Sequence, residues 1–406
     1  MRYIAKFNLL LALLPFISGC VYEFDPTNID VPGEDGKMLV IEGDIIAGGI
    51  TQVSVSYTTK VLDYEESWVW IQGVSVWVEN EAGEIWGSAP PEGVQDTSSY
   101  RVIPPYLYQI HKIDTRGLPL DAKYRLCVSI PGRGEYMSSF SPVIVTPPID
   151  SITWSVSPDS LQAFLEVTTH DNRQQPGYYR WFYRENWDNS PDIIPNIRYN
   201  HNLNLMERYT EEQKQMMQHC LGESYSSGIL VASTEKLDKN HLNKQRIMEI
   251  SSQDKRVKGL YCITVIQTAM DKQGYAYWES IRKNTTGMGG LFDPQPSEIN
   301  GNITSLANPD ETVIGYINVC TASVGRRFID WEKTDIYDRK GCMNMVMYPE
   351  AEWRILYENG KVPVYYGMTE SGFEDMGIAA WVDKKCVETG DCFVAPPFWP
   401  KLKNVE

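Results

Sequence analysis

The stretch VSVWVEN, residues 74–80, decides the fold class. Val74, Val76 and Val78 recur at every second position, and a period of two belongs to a half-buried β-strand rather than a helix. The same composition continues on both sides. MLVIEGDII (38–46) and TQVSVSYTT (51–59) precede it, and KYRLCVSI (123–130) and EYMSSFSPVIV (135–145) follow, the last two separated by the turn PGRG (131–134). Short β-branched and aromatic runs punctuated by Gly and Pro predict an immunoglobulin-like antiparallel sandwich over 38–147. TPPID (146–150) breaks the strands, and its paired prolines stiffen the connection to a second domain.

That second domain, 148–406, is also read as β-rich. SITWSVS (151–157), LQAFLEVTT (161–169), YYRWFYREN (178–186), GILVAST (228–234) and GLYCITVIQTAM (259–270) carry the strand signal. Two helices interrupt them. TEEQKQMMQHC (210–220) places Gln213 three residues after Thr210, the spacing of a capping box. YAYWESIRK (275–283) puts Trp278 and Ile281 on one side at helical spacing. ETVIGYINVC (311–320) and RRFIDW (326–331) predict closing strands, and the chain beyond about Glu332 reads as irregular and aromatic. The expected fold class is therefore mainly β: an N-terminal sandwich, then a larger β-rich domain with a few short helices.

The chain begins with Arg2 and Lys6, followed by the apolar run NLLLALLPFI (8–17). A spanning helix needs roughly 20 apolar residues, so this run is a signal-peptide core and not a membrane span. Ser18-Gly19 directly before Cys20 resembles the bacterial lipobox. Residues 1–19 then form a lipoprotein signal peptide, and Cys20 carries acyl chains of the palmitate kind. Each buried methylene adds about 0.8 kcal/mol of anchoring. Residues 20–37 hold Pro, Gly and acids without an apolar period, which suits a flexible acidic tether. Val21 is not the Asp that retains lipoproteins in an inner membrane, and Glu23 and Asp25 resemble an acidic surface-export signal of Bacteroidota lipoproteins. The expected location is the outer membrane, lipid-anchored and facing outward.

The net charge of −16 becomes about −18 once Arg2 and Lys6 are removed with the leader. That surface is poor for nucleic acid, whose binding depends on Lys and Arg neutralising phosphates. Eight cysteines leave seven once Cys20 is lipidated, an odd count that forces at least one free thiol. Cys127 and Cys262 sit inside strand-like runs and read as small buried apolar residues. Cys386 and Cys392 bracket the short loop VETGD and are the first pair expected to bridge, with Cys320 and Cys342 as a second pair. No CxxC knuckle or His spacing suggests a metal, and no cofactor motif occurs.

Catalytic constellations are missing from the sequence pattern. His111, His170, His201, His219 and His241 show no HExxH pairing, and there is no GxSxG elbow and no P-loop. The expectation is a protein without enzymatic activity. Aromatics are the conspicuous surplus, with 12 Trp, 24 Tyr and 11 Phe. In YYRWFYRENW (178–187), alternation sends Tyr178, Arg180, Phe182 and Arg184 to one face and Tyr179, Trp181, Tyr183 and Glu185 to the other. Both faces cannot meet solvent: one packs into a core, and the other is covered or binds a partner. Tyr179, Trp181 and Tyr183 are candidate binding aromatics, and Trp68 and Trp70 in SWVW (67–70) are a candidate stacking platform.

The order of these features is familiar. The lipobox, LVIEGDI, PPIDSI (147–152), YYRWFYRENW, YWESIRKNT (277–285), GLFDPQPSEINGNI (290–303), VIGYI (313–317) and a terminal Cys pair before PPFWP (396–400) resemble the Bacteroidota outer-membrane lipoprotein family called domain of unknown function 4249. Residues 335–380 give no match to that pattern. The resemblance implies an accessory or ligand-binding role beside a TonB-dependent outer-membrane receptor, and names no ligand. The alternative is a receptor-independent adhesin that captures a glycan or peptide.

Overall fold

A computed structural model describes residues 37–58, 71–89, 110–286, 301–334, 336, 342, 345–389, 392–393 and 395–400. The leader, Cys20, nearly all of the tether, Trp68, Trp70 and most of GLFDPQPSEINGNI lie outside the described residues. The structure is mainly β, with several antiparallel sheets and three short α-helices. Among the described residues no helix is long and apolar enough to cross a membrane.

The first eight strands are β1 (Leu39–Ile46), β2 (Ile50–Tyr57), β3 (Ser75–Asn80), β4 (Ile85–Ala89), β5 (Ile110–Asp114), β6 (Lys123–Ile130), β7 (Gly134–Ser138) and β8 (Ser141–Pro142). The alternation that announced them does what it should: Val76 and Val78 are buried in one core with Leu39, Ile41, Val53, Leu126 and Val128. The chain continues through β9 (Ile149–Val156), β10 (Gln162–His170), β11 (Tyr178–Asp188), β12 (Ile197–Asn200), β13 (Leu205–Arg208), helix α1 (Glu211–Gln218), β14 (Leu221–Tyr225), β15 (Leu230–Ser233), β16 (His241–Ser251), β17 (Leu260–Ala269) and helix α2 (Lys272–Thr286). Next come β18 (Ile303–Ser305), β19 (Val313–Ile314), β20 (Val319–Cys320) and β21 (Ala322–Asp330). Thr210 caps α1 with its reciprocal bond to Gln213, the capping box that the spacing predicted.

Pairing does not respect a division at residue 147. β18 pairs with β7, and β19 and β20 pair in parallel with β1, Leu39 opposite Val313 and Ile45 opposite Val319. Residues 303–320 thus complete the N-terminal unit, and Ile303, Val313, Ile317 and Val319 enter its core. A parallel pair needs a long crossover, and here the whole middle of the chain is that crossover. Gly315, at φ +149°, passes the Ile41 carbonyl so closely that a Cβ would strike it. Only glycine fits there.

The middle of the chain is a second sandwich. The sheet β16-β10-β9 faces the sheet β14-β11-β17-β21, with β15 also paired to β11. Ala163, Leu165, Val167 and Ile250 from the first meet Tyr179, Trp181, Tyr261, Ile263 and Val265 from the second. Helix α2 lies at one end, where Tyr277 and Trp278 pack with Met270 and Tyr316.

The chain after Glu332 is not irregular. β22 (Val346–Pro349), helix α3 (Trp353–Glu358), β23 (Lys361–Met368) and β24 (Glu374–Asp383) form a three-stranded sheet with a helix. Trp353, Tyr366, Ala379 and Trp381 pack on Ile197 and Tyr199 of the β12–β13 hairpin. Two register shifts between β23 and β24, one beside Pro363, break the period of two that would have marked these strands.

The disulfides differ from expectation. Cys220 bridges Cys392 across 172 residues, and Cys342 bridges Cys386 across 44. Neither Cys386–Cys392 nor Cys320–Cys342 forms. Cys320 is a buried free thiol on β20, together with Cys127 and Cys262. Nearness in sequence misled because β14 and the C-terminal segment meet only in space: Leu221 and Phe393 form an isolated bridge beside Cys220 and Cys392.

Candidate functional site

The alternation read in residues 178–187 is real, and it sorts β11 into two environments. Tyr179 and Trp181 are each 1% exposed and belong to the core. They are not binding aromatics, and Tyr183 is only half-exposed and packs against the same core. Trp181 Nε1 donates to Gln267 Oε1 at 2.8 Å, and Gln267 Nε2 donates to the Pro147 carbonyl and to Thr169 Oγ1, both at 3.0 Å. This chain ties the central sheet to the PPID connection. On the same side Glu185 is 1% exposed. It accepts from Arg256 Nη1 at 2.9 Å and from Tyr261 Oη at 2.6 Å. Burial pushes its carboxyl above the usual range, against the pull of Arg256.

The other face of the sheet is where cations and rings collect. Strand register places side chains in rows across β14, β11, β17 and β21. One row is Tyr225, Arg184, Thr264, Arg326; the next is Glu223, Asn186, Cys262, Phe328. Arg184 Nη2 pairs with Glu223 Oε2 at 2.5 Å, and its guanidinium lies 6.0 Å from the Tyr225 ring centroid. Arg326 Nε donates to Thr264 Oγ1 at 3.1 Å. The Arg326 guanidinium sits 3.5 Å from the Phe398 centroid, and Phe328 meets both Phe398 and Trp399 at 6.5 and 5.8 Å. The terminal PPFWP segment therefore seats on this face.

Electrostatics agree with the geometry. Burial pushes the Cys262 thiol up to about 12, while Arg326 and Arg184, both near it, pull the other way. Burial lowers the Arg326 pKa, and the like charge of Arg184 adds to that effect. Among the described residues Arg326 has no carboxylate partner. Arg184 Nε and Asn186 Oδ1 are buried and lack hydrogen-bond partners among them too.

Arg180 marks the other end of the face, at the junction with the N-terminal sheet. Its guanidinium stacks 3.4 Å from the Trp278 centroid and 4.3 Å from Phe182. Glu42 and Asp44 on β1 lie within electrostatic reach, and burial raises the pKa of both carboxyls while Arg180 opposes it. Asp44 Oδ1 accepts from Asn318 Nδ2 at 2.9 Å. Arg180 is thus a structural clamp between the two sandwiches.

A different surface lies on the C-terminal sheet. Phe373 is 75% exposed, Met368 66% and Met376 56%, and Met345, Met347 and Ile378, on or next to the paired strands β22 and β24, are exposed too. A Cβ on Gly367 would meet Met347 Cε at 2.8 Å and Ile378 Cγ2 at 3.2 Å, so these two side chains converge over that glycine. Exposed apolar side chains gathered in this way are of the kind that suits a contact surface, and methionine adapts to irregular shapes.

Other groupings carry less. His170 Nδ1 lies 2.8 Å from Asp150 Oδ2 at the surface, an orienting pair beside which no nucleophile is placed among the described residues. Asp192, Cys342 and Cys386 cluster within 4.8 Å, but the two sulfurs are bonded to each other and Asp192 pairs with Lys258. A groove of about 470 Å³ beside Lys37 is lined by Arg133, Tyr136 and Glu311. These three satisfy one another, Arg133 to Glu311 at 3.3 Å and Tyr136 Oη to Glu311 at 3.1 Å.

Reading the sequence alone singled out the buried face of β11 and missed Arg326, Phe328, Phe398 and Trp399. The signal was present in RRFIDW, where Arg326 and Phe328 share a face at period two. What was absent was the register that sets them beside Arg184. No curated protein matches the chain in sequence. The family model described as domain of unknown function (DUF4249) matches residues 24–326, ending within β21 and leaving the C-terminal sheet and the PPFWP segment outside the match. Because that match spans three quarters of the sequence, the chain belongs to the DUF4249 family.

Proposed function

We propose that this protein is a surface-exposed outer-membrane lipoprotein, anchored through Cys20, that works by binding rather than by catalysis as an accessory or ligand-binding component of a TonB-dependent nutrient-uptake system. The observation that carries this reading is the exposed methionine-rich face around Met347, Met368, Phe373, Met376 and Ile378. A face of this kind suits a large partner: its side chains are apolar and deformable, and burying each removes area from water at about 25 cal/mol per Å². The lipobox supplies the location, and the gene neighbourhood usual for the family supplies the receptor class.

The test is capture. Tagged protein extracted in mild detergent should bring down a TonB-dependent barrel, identified by mass spectrometry. Met347→Glu and Ile378→Glu, both at exposed positions, should cut recovery at least tenfold while leaving the circular dichroism spectrum unchanged. Absence of any barrel from the wild-type eluate would sink the accessory role.

A further inference from the structure

In the row Tyr225, Arg184, Thr264, Arg326, the Arg184 Nε donor meets no acceptor among the described residues. Directly opposed residues on neighbouring strands are about 4.8 Å apart, so the Arg184 and Arg326 backbones stand about 10 Å apart with Thr264 between them. Both arginines project from that face, and Arg326 Nε already reaches Thr264 Oγ1 at 3.1 Å. Thr264 and Cys262 are fully buried at the floor, and Val324, one row on along β21, is 38% exposed. Arg184 is charge-balanced by Glu223. Glu223 also accepts from Tyr225 Oη. Arg326 lacks a carboxylate partner among the described residues, so the row keeps one uncompensated positive charge in a protein of net charge −16.

Two buried polar atoms point to what is absent. Arg184 Nε is a donor without a partner among the described residues, and Asn186 Oδ1, on a side chain 1% exposed, is an acceptor without one. A buried polar atom left unmet loses its bonds to water without replacement, which is unfavourable. Guanidinium forks match planar and tetrahedral oxyanions, and their bonds to such groups are among the strongest hydrogen bonds in proteins.

We propose that Arg184 and Arg326 form an oxyanion subsite, walled by Tyr225, Phe328 and Phe398, that holds a carboxylate or phosphate group of a ligand. Asn186 Oδ1 receives a hydroxyl or amine donor next to that oxyanion. This inference rests on the binding reading above and names the chemistry of its ligand. The C-terminal Phe398–Trp399 pair borders the subsite, so ligand entry alters the surroundings of Trp399.

Purified protein is titrated with malate, succinate and inorganic phosphate at matched ionic strength, with tryptophan fluorescence and calorimetry as readouts. Saturable binding of at least one of them is expected. Arg326→Gln should weaken it at least tenfold, and Arg326→Lys, which keeps charge but loses the fork, should weaken it less. Malate tighter than succinate assigns Asn186 its acceptor role, and phosphate alone assigns a phosphate-bearing ligand. No binding of any probe, or binding unchanged in Arg326→Gln with its melting temperature intact, overturns the subsite. Receptor capture with no anion binding sinks this inference alone, and anion binding without receptor capture sinks the receptor reading alone.

Discussion

Replacing Cys220 and Cys392 by Ser opens a loop of 172 residues, whereas replacing Cys342 and Cys386 opens one of 44. In the chain-entropy account a crosslink stabilises by restricting the unfolded chain, with a term that grows as the logarithm of loop length. For the long loop the term is about 5 kcal/mol, and for the short one about 4. The bridges are nested. With the inner bridge closed, the outer loop shortens to about 129 residues, which lowers its term by only about 0.3 kcal/mol. The outer bridge should therefore remain the more stabilising by roughly 1 kcal/mol. It also fastens the segment leading to Phe398 and Trp399 against β14, where Phe393 N donates to the Leu221 carbonyl at 2.9 Å. The assay is urea unfolding of each double variant, preceded by a non-reducing peptide map of the wild type. A map joining Cys386 to Cys392 would refute the pairing. An inner-bridge variant losing more stability than the outer-bridge variant would refute the loop argument.

Three further outcomes follow from the packing. Trp181→Phe removes part of a buried indole and orphans Gln267 Oε1, so it should cost about 2–4 kcal/mol in urea unfolding, and a loss below about 1 would mean the Gln267 link is not stabilising. Burial raises the Asp44 pKa against the pull of Arg180 and Asn318, so folding disfavours its charged form: stability from this group is full below the unfolded carboxyl pKa and is lost as pH rises through the folded value. Denaturation of Asp44→Asn between pH 5 and 8 should then show a shallower decline with pH than the wild type, and an unchanged slope would exclude Asp44 as its source. Gly315→Ala forces a Cβ onto the Ile41 carbonyl at positive φ and should lower stability by about 3 kcal/mol, read as a drop in melting temperature.

Much of the local structure was written in residue order. The alternation in VSVWVEN and YYRWFYRENW is a property of the strand itself, because successive side chains point to opposite faces whatever the partner. The Thr210–Gln213 capping box is likewise local, since both of its bonds close within four residues. The strands of 346–383 were harder to see, because bulges and Pro363 interrupt their period.

Sequence by itself therefore determined the β character, the two faces of β11 and the Thr210–Gln213 cap. Tertiary structure alone decided which face of β11 is core, that 303–320 completes the first sandwich, which cysteines join, and that Arg326 stands in one row with Arg184. The physical reason is the same in each case. Periodicity and capping depend on neighbours within a few residues, whereas strand register, parallel pairing and disulfide partners depend on contacts between segments up to 274 residues apart, whose energies no local pattern records.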